Sequence, residues 1–222
     1  MQQSFFEEQP KKVQFESFDQ LVAHMNGMTD DPLHAAGTNM VICRGNPAAK
    51  LMIVGEAPGT NENEQLKPFV GRSGQLLNQI LKAVNLDTEK DVFVTNAVFR
   101  LPPGNDGKPL RKPTPAEIDW YKPYLQEIIR LIDPKIILLT GGVSMRSVLN
   151  ETKLGITKMR GKWTELDGRM VMPIFHPAYL LRNPSKMKGQ PKSLTWADIQ
   201  EVRKKYDELG LGGRQIRSGY AD

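Results

Sequence analysis

A chain of 222 residues with 30 Lys and Arg against 25 Asp and Glu, hence a formal net charge of +5, has the size of one α/β domain and a mild attraction for polyanions. Its single cysteine, Cys43, excludes an internal disulfide and any metal site built from several cysteines of one chain. No apolar run approaches the roughly 20 residues of a membrane span, and residues 1–12 have no signal-peptide core, so a soluble, cytoplasmic protein without membrane partners is expected.

Residues 1–15 lack periodicity and read as an extended arm. Across 17–25, Phe18, Leu21, Val22 and Met25 share one helical face. The turn signals Asp30-Asp31-Pro32 and Gly45-Asn46-Pro47 make 26–46 a loop. Residues 51–54 are too short for a buried helix and branched enough for an internal strand; the glycines and proline of 55–59 end it at the carboxyl edge, where open α/β sheets bind ligands. Beyond a polar loop, Ser73 is placed to cap a helix carrying Leu76, Leu77, Ile80, Leu81 and Val84 at core spacing.

A second strand, 92–95, ends at Asn96 and opens a loop with Pro102, Pro103, Gly104 and Pro109, long for a compact domain and of the kind that is functional or disordered. Thr114-Pro115-Ala116-Glu117 is a capping box with proline at the first helical position, starting a helix that runs through Ile132. A third strand at 136–139 turns at Gly141-Gly142 into a short helix, 143–149. Strands 163–166 and 170–174 flank the hairpin signal Asp167-Gly168, and the second delivers His176 at its end. A last helix covers 194–209, glycines from 210 stop it, and 211–222 reads as a mobile tail. Strands interleaved with helices predict one domain over 1–222, a three-layer α/β/α sandwich around a short, mostly parallel central sheet.

Three strings lie at the ends of these strands: GEAPG at 55–59 with Glu62 and PFVGRSG at 68–74, VTN at 94–96 running into LPPGN at 101–105, and HPAYLLRNP at 176–184. In this order, over roughly residues 46–206, they resemble the motifs of the family 4, thermophile-type uracil-DNA glycosylases. The resemblance implies a uracil-DNA glycosylase-like fold and a monofunctional hydrolase of base excision repair. Such an enzyme flips deoxyuridine out of DNA and hydrolyses the N-glycosidic bond, releasing uracil and leaving an abasic site. The partners implied are uracil-containing DNA and uracil as product, with the protein acting as a monomer.

Breaking that bond leaves negative charge on the departing uracil, so the site needs a donor aimed at O2; the resemblance gives this role to His176. Reading uracil rather than cytosine needs an acceptor for N3–H and a donor for O4, which one amide supplies, and the motif places Asn96 there. Phe69 matches the ring that stacks on the flipped base, and Ala57 and Asn105 complete the uracil-binding set. In the better-known branch of the superfamily an aspartate that orients water stands where this chain has Ala57. Glu56 is therefore assigned to shaping the pocket near uracil C5 and to its electrostatics, and Glu62 to positioning water. For DNA, backbone amides near Gly59, Ser73, Gly141 and Gly142 suit phosphate. The mixture of Tyr179, Leu180, Leu181, Arg182, Lys186, Met187 and Lys188 suits a minor-groove wedge with basic flanks; Leu181 is counted among the DNA-contacting residues, with Arg182 and Lys188 neutralising phosphate, and which side chain enters the helix is left open.

The resembled family usually holds a four-cysteine iron-sulfur cluster, whose ligand places fall by local register on Met28, Asp31, Arg100 and Tyr121. No metal and no cofactor are expected here, and an Asp31–Arg100 ion pair, joined by Tyr121, is expected to clasp the proline-rich loop instead. Two other readings stay open: a catalytically weak DNA- or uracil-binding module of the same fold, and an enzyme acting on free nucleotides.

Overall fold

Burial on both faces decides which strands form the centre of the sheet. In the computed structural model, which describes residues 13–104 and 110–212, the strands are β1 (Cys43–Gly45), β2 (Leu51–Gly55), β3 (Val92–Asn96), β4 (Ile136–Thr140), β5 (Thr164–Leu166) and β6 (Arg169–Ile174). Every residue of β2, β3 and β4 is buried, the signature of a parallel sheet covered on both sides. The spatial order is β1-β3-β2-β4-β6-β5; the inner four strands are parallel, and the edges β1 and β5 are antiparallel.

Alternation along each strand divides the core in two. Leu51, Ile53, Val92, Val94, Ile136 and Leu138 face the helices α3 (Arg72–Lys82) and α8 (Pro191–Glu208), meeting Leu77, Leu81, Ile199 and Val202. Met52, Val54, Phe93, Ile137 and Leu139 face the other way, against α1 (Phe18–Asn26), α4 (Pro115–Ile132) and α5 (Gly142–Leu149). The three-layer α/β/α sandwich with a mostly parallel sheet is thus the architecture observed.

Local signals set most boundaries. Thr114 caps α4 with its hydroxyl on the Glu117 N–H, and Glu117 returns to the Thr114 N–H, as the capping box predicts. Asp167 and Gly168 both have positive φ, 49° and 73°, the conformation that a two-residue hairpin turn requires. Other elements depart from expectation. The loop read at 26–46 contains β1, whose centre is an arginine and which forms because β3 offers an open edge. The helix with Ser73 starts earlier, with Gly71 as its N-cap and Arg72 its first residue. Three short helices also appear: α2 (Thr60–Gln65) in the first motif, α6 (Ile156–Met159), and α7 (Pro177–Arg182), for which His176 is the N-cap. No helix among the described residues is long and apolar enough to cross a membrane. The arm residues 1–12 and the tail residues 213–222 lie outside the described residues.

Candidate active site

Four parallel strands end at one cavity of about 490 Å³. The chain leaving β2 contributes Glu56, Ala57 and Gly59; β3 ends on Asn96; the chain after β4 contributes Gly141 and Gly142; that after β6 contributes Phe175 and His176. Spatially β2 lies between β3 and β4, so the chain order reverses here, the place where open α/β sheets bind ligands. Phe69, held at φ 56°, brings its ring to 5.9 Å from the His176 ring, tilted by 30°. Gly55 allows a third approach: a Cβ there would stand 2.2 Å from Asn96 Oδ1 and 2.5 Å from Phe69 Cε2. Phe69, Asn96 and His176, brought from three separate places in the chain, therefore line one space that is wide enough for a planar heterocycle.

The protonation state of His176 follows from its cap. Its Nδ1 accepts the Ala178 N–H at 3.1 Å, so the neutral ring holds its proton on Nε2, on the edge left to the cavity. Burial, then the positive charges of Arg182 and Lys112, push its pKa down to about 4. At neutral pH the ring is an uncharged donor, fixed in direction by the first turn of α7.

Glu62 and Glu56, both in the cavity wall, are built differently. Glu62 Oε1 accepts from the Val70 and Gly71 N–H groups at 2.9 and 2.7 Å, and Oε2 accepts from Gly59 at 3.2 Å. These three bonds tie GEAPG to PFVG and make Glu62 a loop staple, with one acceptor position of Oε2 remaining. Glu56 is the carboxylate left over. Burial raises its pKa, and Lys112 and Arg182 offset part of that rise.

Of the remaining expected residues, Ser73 and Arg182 also line the cavity, together with Gly59, Gly141 and Gly142. The Gly59 N–H is donated to Glu62 Oε2 at 3.2 Å. Leu181 and Lys188 are outside the wall; Leu181 is half-buried on α7 and Lys188 exposed beyond it. Leu180 is 1% exposed and belongs to the core, whereas Met187, 75% exposed, and Tyr179 are the apolar side chains presented on this flank. Asn105 lies outside the described residues. Lys112 and Thr157 are wall residues that the motifs did not announce. Lys112 sits two residues before the Thr114 cap, where the loop must return to the sheet, and that placement was the available signal.

A second polar assembly gathers around Arg100, the residue before Leu101 and Pro102. Arg100 donates from Nε to Asp31 Oδ2 at 2.8 Å, from Nη2 to the Met28 carbonyl at 3.0 Å, and from Nη1 to the Thr38 carbonyl. Tyr121, fully buried, donates its hydroxyl to Asp31 Oδ1, which also accepts the Leu33 N–H at 3.1 Å. Met28, Asp31, Arg100 and Tyr121, the residues that the resemblance puts at the cluster's ligand places, thus meet, with no thiolate among them. These residues do not fit an iron-sulfur cluster: the carboxylate is committed, and a guanidinium fills the site. Among the described residues, no group of three or more His, Cys, Asp or Glu is gathered to hold a metal ion.

Residues 43–200 match the family model described as the Uracil DNA glycosylase superfamily. Similar proteins include the Type-4 uracil-DNA glycosylase of Thermotoga maritima, 39% identical across 78% of this chain and 85% of that protein. The Type-4 uracil-DNA glycosylase of Sulfurisphaera tokodaii is 42% identical across 82% of this chain and 80% of its own length. That of Archaeoglobus fulgidus is 35% identical across 76% of this chain and 85% of its own.

Proposed function

Because the chain belongs to the uracil DNA glycosylase superfamily, we infer that it is a uracil-DNA glycosylase, hydrolysing the N-glycosidic bond of deoxyuridine in DNA and leaving an abasic site. The observation that carries the reading is the meeting of Phe69, Asn96 and His176 in one cavity, with His176 presenting an N–H and no charge. In the proposed cycle the flipped uracil stacks on Phe69 and pairs its N3–H and O4 with the Asn96 amide. Cytosine presents the inverse pattern and leaves buried polar groups unpaired, the costly kind of mismatch.

As the bond from C1′ lengthens, its electron pair moves into the uracil ring and charge gathers at O2, where the Nε2–H of His176 meets it. Glu56 supplies the negative charge that complements the oxocarbenium-like sugar; water adds at C1′, and the proton it releases is balanced by the one the departing uracil anion takes up, giving neutral uracil and a C1′ hydroxyl. Arg182 and Lys112 flank the mouth and receive the phosphates on either side of the flipped nucleotide. Met187, between Lys186 and Lys188, is the apolar side chain placed to fill the vacated stack. The chain works as a monomer and without an iron-sulfur cluster, the Asp31–Arg100–Tyr121 clasp standing in the cluster's place.

The test is incubation with single- and double-stranded oligonucleotides bearing one uracil, followed by alkali. Breakage at the uracil supports the enzyme; gel retardation with no breakage would make the chain a binding module of this fold. Gly55→Ala is a sharp companion, since its methyl falls on Asn96 Oδ1 and the Phe69 ring at once. It should abolish cleavage in the same assay while far-UV circular dichroism stays that of the parent.

A further inference from the structure

β1 is an edge strand whose one buried residue is Arg44, with a side chain only 6% exposed. A guanidinium is not buried without partners, because stripping its water costs several hydrogen bonds. Its charge partner, Glu89, is 66% exposed, and a pair so placed is too weakly coupled to account for the burial. The other two bonds run inward. Arg44 Nη2 donates to Asn78 Oδ1 on α3 at 2.7 Å, and Nε donates to the Pro68 carbonyl at 2.8 Å.

That carbonyl belongs to the peptide unit entering Phe69, whose φ of 56° is a conformation a bulky side chain does not adopt by itself. Something must hold it. On the far side of Phe69, Glu62 takes the Val70 and Gly71 N–H groups. Beneath it, Gly74 leaves the room that a Cβ would deny, since one built there would stand 1.8 Å from the Phe69 carbonyl oxygen. Arg44 fixes the remaining side.

We propose that Arg44 is a positioning residue for base stacking: from the edge strand it locks the Pro68–Phe69 peptide, so that the Phe69 ring is set before the flipped base arrives. This rests on the reading of the cavity as the base seat. Stacking is equally present in the bound substrate and in the transition state, so its loss raises KM and leaves kcat nearly alone.

The experiment uses the full chain carrying Arg44→Met, Glu89→Gln and Phe69→Ala in turn. KM and kcat on uracil-containing DNA, inhibition by free uracil, and Tm are measured for each. Arg44→Met should raise both KM and the uracil inhibition constant by roughly tenfold, within the range of one lost stacking contact, with kcat within about threefold of the parent. Glu89→Gln, which removes only the exposed partner of the same guanidinium, should leave all three at parent values. Should Arg44→Met not fold, Arg44→Gln, too short to reach Pro68 from β1, replaces it with the same expectation. An Arg44 variant that lowers Tm but leaves uracil inhibition unchanged overturns the proposal. A Phe69→Ala variant with unchanged uracil inhibition instead removes the base-seat reading on which it stands.

Discussion

His176→Ala should turn over uracil-containing DNA roughly 10²- to 10³-fold more slowly than the parent, the effect of removing one preorganised donor at a developing anion, with DNA affinity nearly retained. The donor is preorganised because Ala178 fixes the tautomer and α7 fixes the ring, so no reorganisation is needed as charge arrives at O2. The same geometry sets the pH dependence. Protonation puts an N–H on Nδ1 against the Ala178 N–H, and it is opposed by burial and by Arg182 and Lys112, so the ring stays neutral down to about pH 4. Protonation keeps the Nε2–H but breaks the Nδ1 bond that aims it, so activity that depends on this aim is present above that point and is lost as pH falls through it. Removing a neighbouring cation by Lys112→Gln relieves the repulsion felt by the imidazolium, so the His176 pKa must rise. Nuclear magnetic resonance titration of the His176 ring in the free protein checks the direction; an unchanged or lower pKa in Lys112→Gln would contradict this electrostatic account.

The parts of this site that were legible in the sequence are those fixed by local chemistry. Strands β2, β3 and β4 announce themselves as short branched runs ended by glycine, asparagine or threonine, so the residues at their carboxyl ends could be named without coordinates. The Thr114 capping box and the Asp167-Gly168 turn are likewise decided within four residues. What escaped depends on partners far away in the chain. β1 has no alternation to betray it, and its centre is an arginine that is buried only because Pro68 and Asn78 wait for it. Glu62 reads as a carboxylate for positioning water, and nothing local shows that the backbone folds three amides onto it. Leu180 reads as a wedge until α7 turns it inward, leaving Met187 and Tyr179 outside. A motif names the side chain, and the tertiary fold decides which of its atoms remain free for chemistry.

Asp31 and Arg100 show the energetic consequence most directly, and either substitution to alanine should lower stability by about 3–5 kcal/mol. Their charged groups are 2.8 Å apart with side chains 0% and 8% exposed, so removing one strands the other where water cannot reach it. For a chain of this length, about 3–5 kcal/mol corresponds to a fall in Tm of roughly 6–20 °C. Tyr121→Phe removes only a hydrogen bond to the carboxylate, and about 1.5–3 kcal/mol is expected. The double variant Asp31→Leu with Arg100→Met leaves no stranded charge and should recover most of the loss, since apolar replacement of a buried pair is often neutral. The clasp also reaches the site. Arg100 follows Asn96 by four residues, and between them Ala97 and Val98 donate to the Gly55 and Glu56 carbonyls, so one short segment joins the clasp to the cavity floor. In the single variants cleavage should therefore fail at a lower temperature than in the parent, while below the transition Asn96 still reads uracil and rates converge. Thermal unfolding with a double-mutant cycle decides the matter: additive losses for Asp31→Ala and Arg100→Ala would show that the pair is not coupled and that the loop is held by something else.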